Sequence, residues 1–379
     1  AIGLASRGTG RRMSNLNTMR HATRRPNLKD YSREALRAIF KERGWAAYRA
    51  DQVATWLYKN DVEDVDGMTN VPAEIRSAIA AEFDTRSLEV VETQKSVDGT
   101  QKLLLGAFDG ARIEAVLIPE ERRNTLCVST QVGCPLTCSF CATGALGFTR
   151  NLTTGEIVDQ VLQAMRVMEP ETTLTNLVFM GMGEPLLNLP AVSEAIRILT
   201  DQKAFALAPR RVTVSTSGVL PQIAPLLEVA PIHLAVSLHA TTDEVRDVLV
   251  PLNKKFPIAE LLETLRAEPR INRRRPVFFE YTLMEGVNDS VEDARRLPGL
   301  LAGIPCKLNV IPMNPHPDAP YRAPSKETIN RFTAALHDGG MRVTLRRDRG
   351  RDIDAACGQL ANRRPGPAQK TPHGSSSAV

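Results

Sequence analysis

Six short apolar runs are spaced along the middle of the chain, at Leu126–Ser129, Leu177–Met180, Val212–Ser215, Leu234–Leu238, Val277–Leu283 and Leu308–Ile311. Amphipathic stretches at 154–168, 190–200, 257–267 and 290–302 lie between most of them. Runs of strand length alternating with stretches of crossover length read as successive β–α units, and such units build a parallel sheet. The fold expectation is therefore α/β: a partial (β/α)6 barrel, with doubly wound strands as the other arrangement of the same units. In both, the loops at the C-terminal ends of the strands build the site.

Chemistry-bearing residues follow these runs. After the first comes Gly133-Cys134-Pro135-Leu136-Thr137-Cys138-Ser139-Phe140-Cys141, three cysteines spaced C-x3-C-x2-C in one loop. Cysteine thiolates at short spacing are the usual ligands of iron–sulfur cores. Structural zinc would ask for a fourth Cys or His nearby, whereas His233 and His239 are distant in sequence. Three thiolates on a four-iron core leave one iron open to a small molecule. After the second run comes Gly181-Met182-Gly183-Glu184-Pro185, where glycines permit close backbone approach and Glu184 offers a carboxylate to an amine or to ribose hydroxyls. Ser215, then Ser237-Leu238-His239, then Asn314 follow later runs. Each polar residue alone reads equally well as a helix cap or, for His239, as a core histidine; together they mark one pocket.

The flanks differ in composition. Residues 30–85 read as helical, with Ser32 and Asp51 as N-caps. Residues 86–118 alternate like strands, with turns at Asp98-Gly99 and Asp109-Gly110. The segments 1–28 and 363–379 have no apolar period and are expected to be disordered. The net charge of +5 is modest, but Arg and Lys gather in residues 1–29, at Arg273-Arg274-Arg275 and at Arg346–Arg351. Such clusters suit phosphate backbones, with Lys102, Arg122, Arg123 and Arg150 as further candidate contacts. No apolar run reaches the length of a membrane span, and no secretory leader is visible. A cytoplasmic setting is expected, in which six cysteines point to metal binding or catalysis rather than a disulfide framework.

The cysteine spacing, with an aromatic residue before the last Cys, resembles the radical S-adenosylmethionine (radical SAM) superfamily, and Gly181–Pro185 resembles its GGEP element. Four segments narrow the likeness. They are Leu126–Cys134, Gly147–Leu152, Gly181–Asn188 and Ala356–Leu360, and together they resemble the bacterial rRNA/tRNA adenine-C2 methyltransferases over residues 28–362. Tyr48–Gln52 and Met68–Asn70 resemble that family's accessory domain. The resemblance implies a disordered basic arm (1–28), a helical RNA-binding accessory domain (29–90), a β-rich linker or extension (91–123), a radical SAM partial barrel with a Cys357 loop (124–362) and a disordered tail.

It also implies roles. Cys134, Cys138 and Cys141 would hold a [4Fe-4S] cluster, and Gly183, Glu184, Ser215, Ser237, Leu238, His239 and Asn314 would contact S-adenosylmethionine, used twice per turnover. One molecule would methylate Cys357. The adenosyl radical from the second would take hydrogen from that methyl, and the carbon radical would add to C2 of an adenine. Glu114 would accept the C2 proton, and Cys127 would resolve the RNA–protein crosslink through a transient disulfide with Cys357. Electron-poor C2 is no nucleophile toward a sulfonium methyl, which is why a radical route is needed. Implied partners are 23S rRNA, early in assembly, tRNA, and a reductant such as flavodoxin or ferredoxin. Two other functions remain open: methylation of the same rRNA adenine at C8, giving antibiotic resistance, and a non-catalytic iron–sulfur RNA-binding protein. Cys306 has no derivable role beyond packing.

Overall fold

A computed structural model describes residues 25–346 and 349–361. Residues 1–24 of the expected arm (1–28), the tail and Arg347-Asp348 lie outside the described residues. The chain opens with three helices, α1 (Arg33–Glu42), α2 (Tyr48–Tyr58) and α3 (Ala73–Glu82). Four strands follow, β1 (Leu88–Lys95), β2 (Gln101–Ala107), β3 (Arg112–Glu120) and β4 (Arg123–Cys127). A short hairpin, β5 (Gln131–Gly133) and β6 (Phe148–Asn151), encloses α4 (Ala142–Ala145). The remaining order is α5 (Thr154–Val167), β7 (Asn176–Phe179), α6 (Leu189–Thr200), β8 (Val212–Thr216), α7 (Ile223–Val229), β9 (His233–Ser237), α8 (Asp243–Leu249) and α9 (Ile258–Ala267). Last come β10 (Val277–Leu283), α10 (Val291–Leu300), β11 (Cys306–Pro312), α11 (Lys326–Asp338) and β12 (Val343–Leu345).

Ten strands form one sheet in the order β1-β2-β3-β4-β7-β8-β9-β10-β11-β12. From β1 to β4 the pairing is antiparallel; from β4 to β12 it is parallel. The sheet keeps two edges, but the chain after β12 crosses back to β1–β3, where Ser96 Oγ donates to Asp352 and the Gly350 N–H donates to Asp98 Oδ2 at 3.0 Å. Its ends therefore approach each other, which makes a partial barrel.

Several sequence expectations are corrected here. Parallel strands number seven, because Val343–Leu345 adds β12; a three-residue strand with exposed faces has no apolar run to announce it. Residues 91–123, expected as a β-rich linker or extension, form most of the antiparallel half of the main sheet. Residues 25–28 belong to the fold, since Leu28 is fully buried and Arg25 pairs with Asp84. Ser32 does cap α1, accepting from the Ala35 N–H at 3.3 Å. Asp51 caps nothing; α2 starts at Tyr48, and Asp51 instead receives Arg33 and Arg37.

The helical unit is bolted to the barrel by polar groups in an apolar setting. Lys29, in the expected basic arm, is 1% exposed and pairs with Asp159 of α5. Asp159 also accepts the Ser87 and Leu88 N–H groups. The Gly155 N–H donates to Asp30 at 2.7 Å, and the Ser32 N–H donates to Glu194 of α6 at 2.7 Å. A single apolar core runs from Leu36, Phe40 and Leu57 of the helices to Phe179, Val214 and Phe279 of the strands. No helix among the described residues is long and apolar enough to cross a membrane.

Candidate active site

One cavity lies at the C-terminal edge of the parallel strands, and nearly every strand end contributes to it. Cys134, Cys138 and Cys141 line it from the loop after β5; Gly181, Gly183 and Glu184 from the end of β7; Ser215 and Ser217 from β8; Ser237 and His239 from β9. Glu280 and Thr282 of β10, Ile311 and Met313 at the end of β11, Arg346 after β12, and Cys357 complete the wall.

The cysteine loop is shaped by the β5–β6 hairpin. Gly133 sits at φ +74°, and a Cβ there would fall 1.8 Å from the Gly147 carbonyl oxygen, so no other residue fits. The Cys134 N–H donates to that same oxygen at 2.9 Å, and the Cys141 N–H donates to the Cys138 carbonyl at 3.1 Å. Burial pushes the Cys134 thiol up to about 12, and burial followed by the neighbouring Cys141 and Cys134 raises Cys138. Bound iron would reverse this by deprotonating the thiols. Among the described residues no three His, Cys, Asp or Glu side chains converge closely enough to hold one metal ion. Three thiols from one loop that line one cavity are the usual donors to an iron–sulfur core, so these residues fit a cluster.

The glycines after β7 serve the protein rather than a ligand. A Cβ on Gly181 would meet Ser129 Oγ at 2.7 Å, and one on Gly183, at φ +101°, would meet Gln131 Cβ at 2.6 Å. This close contact seats the loop so that Glu184 faces the cavity. Glu184 is 3% exposed; its Oε1 accepts the Leu186 N–H at 3.1 Å and its Oε2 the Ser217 N–H at 2.8 Å. Burial still outweighs these donors and raises its pKa. A cationic amine entering the cavity would favour the carboxylate form.

His239 is a buried histidine that also lines the cavity. Its Nδ1 accepts the Thr282 N–H at 3.0 Å, and burial, then Arg246, drives its pKa down to about 3. The ring is therefore neutral, with its proton on Nε2. Arg246, 1% exposed, sits behind this wall and donates to carbonyl oxygens of Ser217 (2.8 Å), Ser237 (3.0 Å) and Leu238 (3.0 Å) and to Asn253 Oδ1 (2.9 Å). One guanidinium thus pins the ends of β8 and β9 together.

The structure separates two of the expected contacts from the cavity. Leu238 is a core side chain whose N–H is taken by the Glu280 carbonyl. Asn314 does not line the cavity; its Nδ2 donates to the Cys357 carbonyl at 3.3 Å, supporting that loop from outside. Glu114 does not line it either. It is 1% exposed on β3, with Oε1 3.1 Å from Lys102 Nζ and Oε2 accepting the Ala361 N–H at 2.9 Å. Lys102, expected at RNA, is thus interior. Arg346, also expected at RNA, lines the cavity. Arg150 is held by Asp109 and Glu156, and Arg273–Arg275 lie before β10, at the edge of the sheet opposite the cavity. Cys306 starts β11 at that far edge, half-buried, its thiol raised by burial to about 11.

Cys127 and Cys357 are brought together. Cys127 ends β4, buried, with the Met180 N–H donating to it; burial and then the nearby Cys357 push it to about 12. Cys357 opens onto the cavity and is exposed there, yet the protein around it raises its pKa, with Arg346 pulling it down and Glu280 pushing it up. Glu280 itself is raised by burial, and its Oε2 has no hydrogen-bond partner among the described residues. Sequence reasoning passed over Glu280, although a lone carboxylate within the apolar run Val277–Leu283 was a visible signal.

Comparisons agree with this geometry. The model of the radical SAM superfamily matches residues 128–297, and that of the ribosomal RNA large subunit methyltransferase N-terminal domain matches residues 26–84. The dual-specificity RNA methyltransferase RlmN of Marinobacter nauticus is 46% identical over 350 residues, which is 91% of this chain and 95% of that protein. A crystal structure of a radical SAM methyltransferase from Sphaerobacter thermophilus superposes with a TM-score of 0.84 at 45% identity, covering 89% of this chain and all of that one. Membership of the superfamily implies a [4Fe-4S] cluster and S-adenosylmethionine, and the chain belongs to the RlmN family of radical SAM RNA methyltransferases.

Proposed function

We propose that the enzyme methylates C2 of an adenosine in 23S rRNA and in tRNA, using Cys357 as the methyl carrier and Cys127 to resolve the resulting crosslink. The observation that carries this reading is that Cys357 shares one cavity with Cys134, Cys138 and Cys141, while Cys127 adjoins it from β4. When bound at the three cysteines, the cluster supplies the electron that cleaves S-adenosylmethionine. The protein's own groups do the rest. Glu184 offers its carboxylate to the cofactor's amine, with Ser215, Ser237 and neutral His239 beside it. Arg346 favours the Cys357 thiolate, the form that accepts a methyl cation. Glu114, on the strand next to Cys127 but buried off the cavity wall, is the carboxylate assigned to receive the C2 proton, which reaches it through intervening groups rather than by direct contact.

Cys127 then attacks the Cys357 sulfur. Before this attack the radical adduct has given one electron to an oxidised one-electron carrier of the flavodoxin or ferredoxin kind as its C2 proton leaves. The S–S bond then forms as the S–CH2 bond to RNA breaks, and the released carbon takes a proton to become the methyl group. A dithiol reductant reopens the disulfide. A target adenine must leave its stack to reach such a recess. The test is nucleoside mass spectrometry of rRNA and tRNA from a deletion strain and its complement. Loss of 2-methyladenosine, restored by the gene, is expected; loss of 8-methyladenosine instead would overturn the assignment.

A further inference from the structure

The segment carrying Cys357 is clipped at both ends by one buried ion pair. Lys102 and Glu114 face each other across β2 and β3, with side chains 4% and 1% exposed. On the upstream side, Lys102 Nζ donates to the Asp354 carbonyl at 3.3 Å; on the downstream side, Glu114 Oε2 accepts the Ala361 N–H at 2.9 Å. Cys357 lies between these two anchors. Asp354 adopts φ +52°, a left-handed conformation that a non-glycine residue keeps only when its surroundings hold it. Its carbonyl is the one that Lys102 takes.

We propose that Lys102 is a positioning residue which, through Glu114, holds the Cys357 segment over the cavity, and that a proton arriving on Glu114 during turnover opens this clip. The first half stands on geometry. The second rests on the role given to Glu114 above. In that role Glu114 changes from carboxylate to carboxylic acid as it takes the C2 proton. Lys102 keeps its charge and loses the counter-charge that holds it. The segment is released at the stage when Cys127 must reach the Cys357 sulfur. A group that both receives the proton and anchors the loop would order the two events without any distant signal.

The experiment uses full-length, cluster-loaded enzyme without RNA. Hydrogen–deuterium exchange is followed by peptide, and alkylation of Cys357 by iodoacetamide is followed by mass spectrometry of its own peptide. E114Q mimics the protonated acid, K102M removes the cation and K102R restores it. Expected are faster exchange confined to residues 350–361 and roughly tenfold faster Cys357 alkylation in E114Q and K102M, with K102R close to wild type; tenfold is the change that loss of one charge-assisted contact produces. Unchanged exchange and alkylation in both variants would overturn the proposal. So would exchange raised over the whole barrel with a lowered melting temperature, which marks a merely structural pair. Should K102M not fold, E114Q, of nearly the same shape, reads the clip alone. These measurements are made on resting enzyme, so they stand or fall separately from the appearance of 2-methyladenosine.

Discussion

The two halves of the sheet handle charge in opposite ways. In the parallel half, charged and polar side chains collect at one edge and face a cavity. Glu184, Glu280 and Arg346 stand there with no ion pair closed between strands among the described residues; burial raises both carboxylic acids, and Glu280 and Arg346 also act on each other. In the antiparallel half, Lys102 and Glu114 are equally buried but neutralise each other between strands. Charges left open in this way suit a site that awaits a charged ligand; a closed pair suits an anchor. Only the parallel half gathers all its strand-to-helix loops at one end, because every strand runs the same way and every crossover returns outside. The antiparallel half has no such end, and it reaches the site through the C-terminal segment that it grips.

The largest test of this contrast is in the parallel half. Cys138→Ser should lose bound iron and sulfide and all 5′-deoxyadenosine formation, with circular dichroism unchanged; retained cleavage of the cofactor would remove that loop from the chemistry. Next is Cys127→Ala, at the seam between the halves. It should accumulate a covalent RNA adduct at Cys357, seen on denaturing gels, whereas Cys357→Ala should show none. Normal turnover by Cys127→Ala would end its resolving role.

Arg246→Met sharpens the comparison in a different way. It strands three carbonyl oxygens at the strand ends and leaves Asn253 short of a donor, at about 3–5 kcal/mol of stability, measurable by urea unfolding. A change below about 1 kcal/mol would show that the strand ends hold without it.

The smallest expected effect is the acid limb of stability. Asp98, in the β1–β2 turn, is opposed by partial burial, but hydrogen bonds from Thr100, Gly350 and Ser96 win and hold it at about 2, below its ordinary 3.8. A carboxylate with a lowered folded pKa stabilises above its unfolded value and loses that contribution as pH falls toward the folded one. Between pH 4 and 2, as those two values define the window, wild type should lose about 1 kcal/mol more than Asp98→Asn, given solvent screening. Parallel acid curves for the two proteins would remove Asp98 as an anchor of the Cys357 segment.

Legibility in the sequence followed the range of each interaction. The α/β repeat, the three-cysteine loop and Gly181–Pro185 are local patterns, and each was found where the sequence placed it. Ser215, Ser237 and His239 were named for following strands, and that placement suffices when all strand ends meet at one edge. Leu238 and Asn314 were named on the same ground, but their side chains point elsewhere: Leu238 alternates into the core between Ser237 and His239, and Asn314 reaches the Cys357 carbonyl. Lys102 was grouped with the candidate RNA contacts because a basic residue in sequence carries no mark of burial, and the place of Arg346 on the cavity wall follows from β12, which no apolar run announces.

By itself the sequence determined the repeating units, the place of the cysteine loop after a strand, and the short-range signals of turn and cap, since these depend on spacings of two to eight residues. Only the tertiary structure decided that Cys357 meets the cluster loop and Cys127, that Glu114 grips Ala361 across 247 residues, and that Lys102 holds Asp354 across 252. The physical reason is the curvature of the sheet. Its two edges approach only once all ten strands are in register, so contacts between the first strands and the last segment belong to the closed shape and to no stretch of chain.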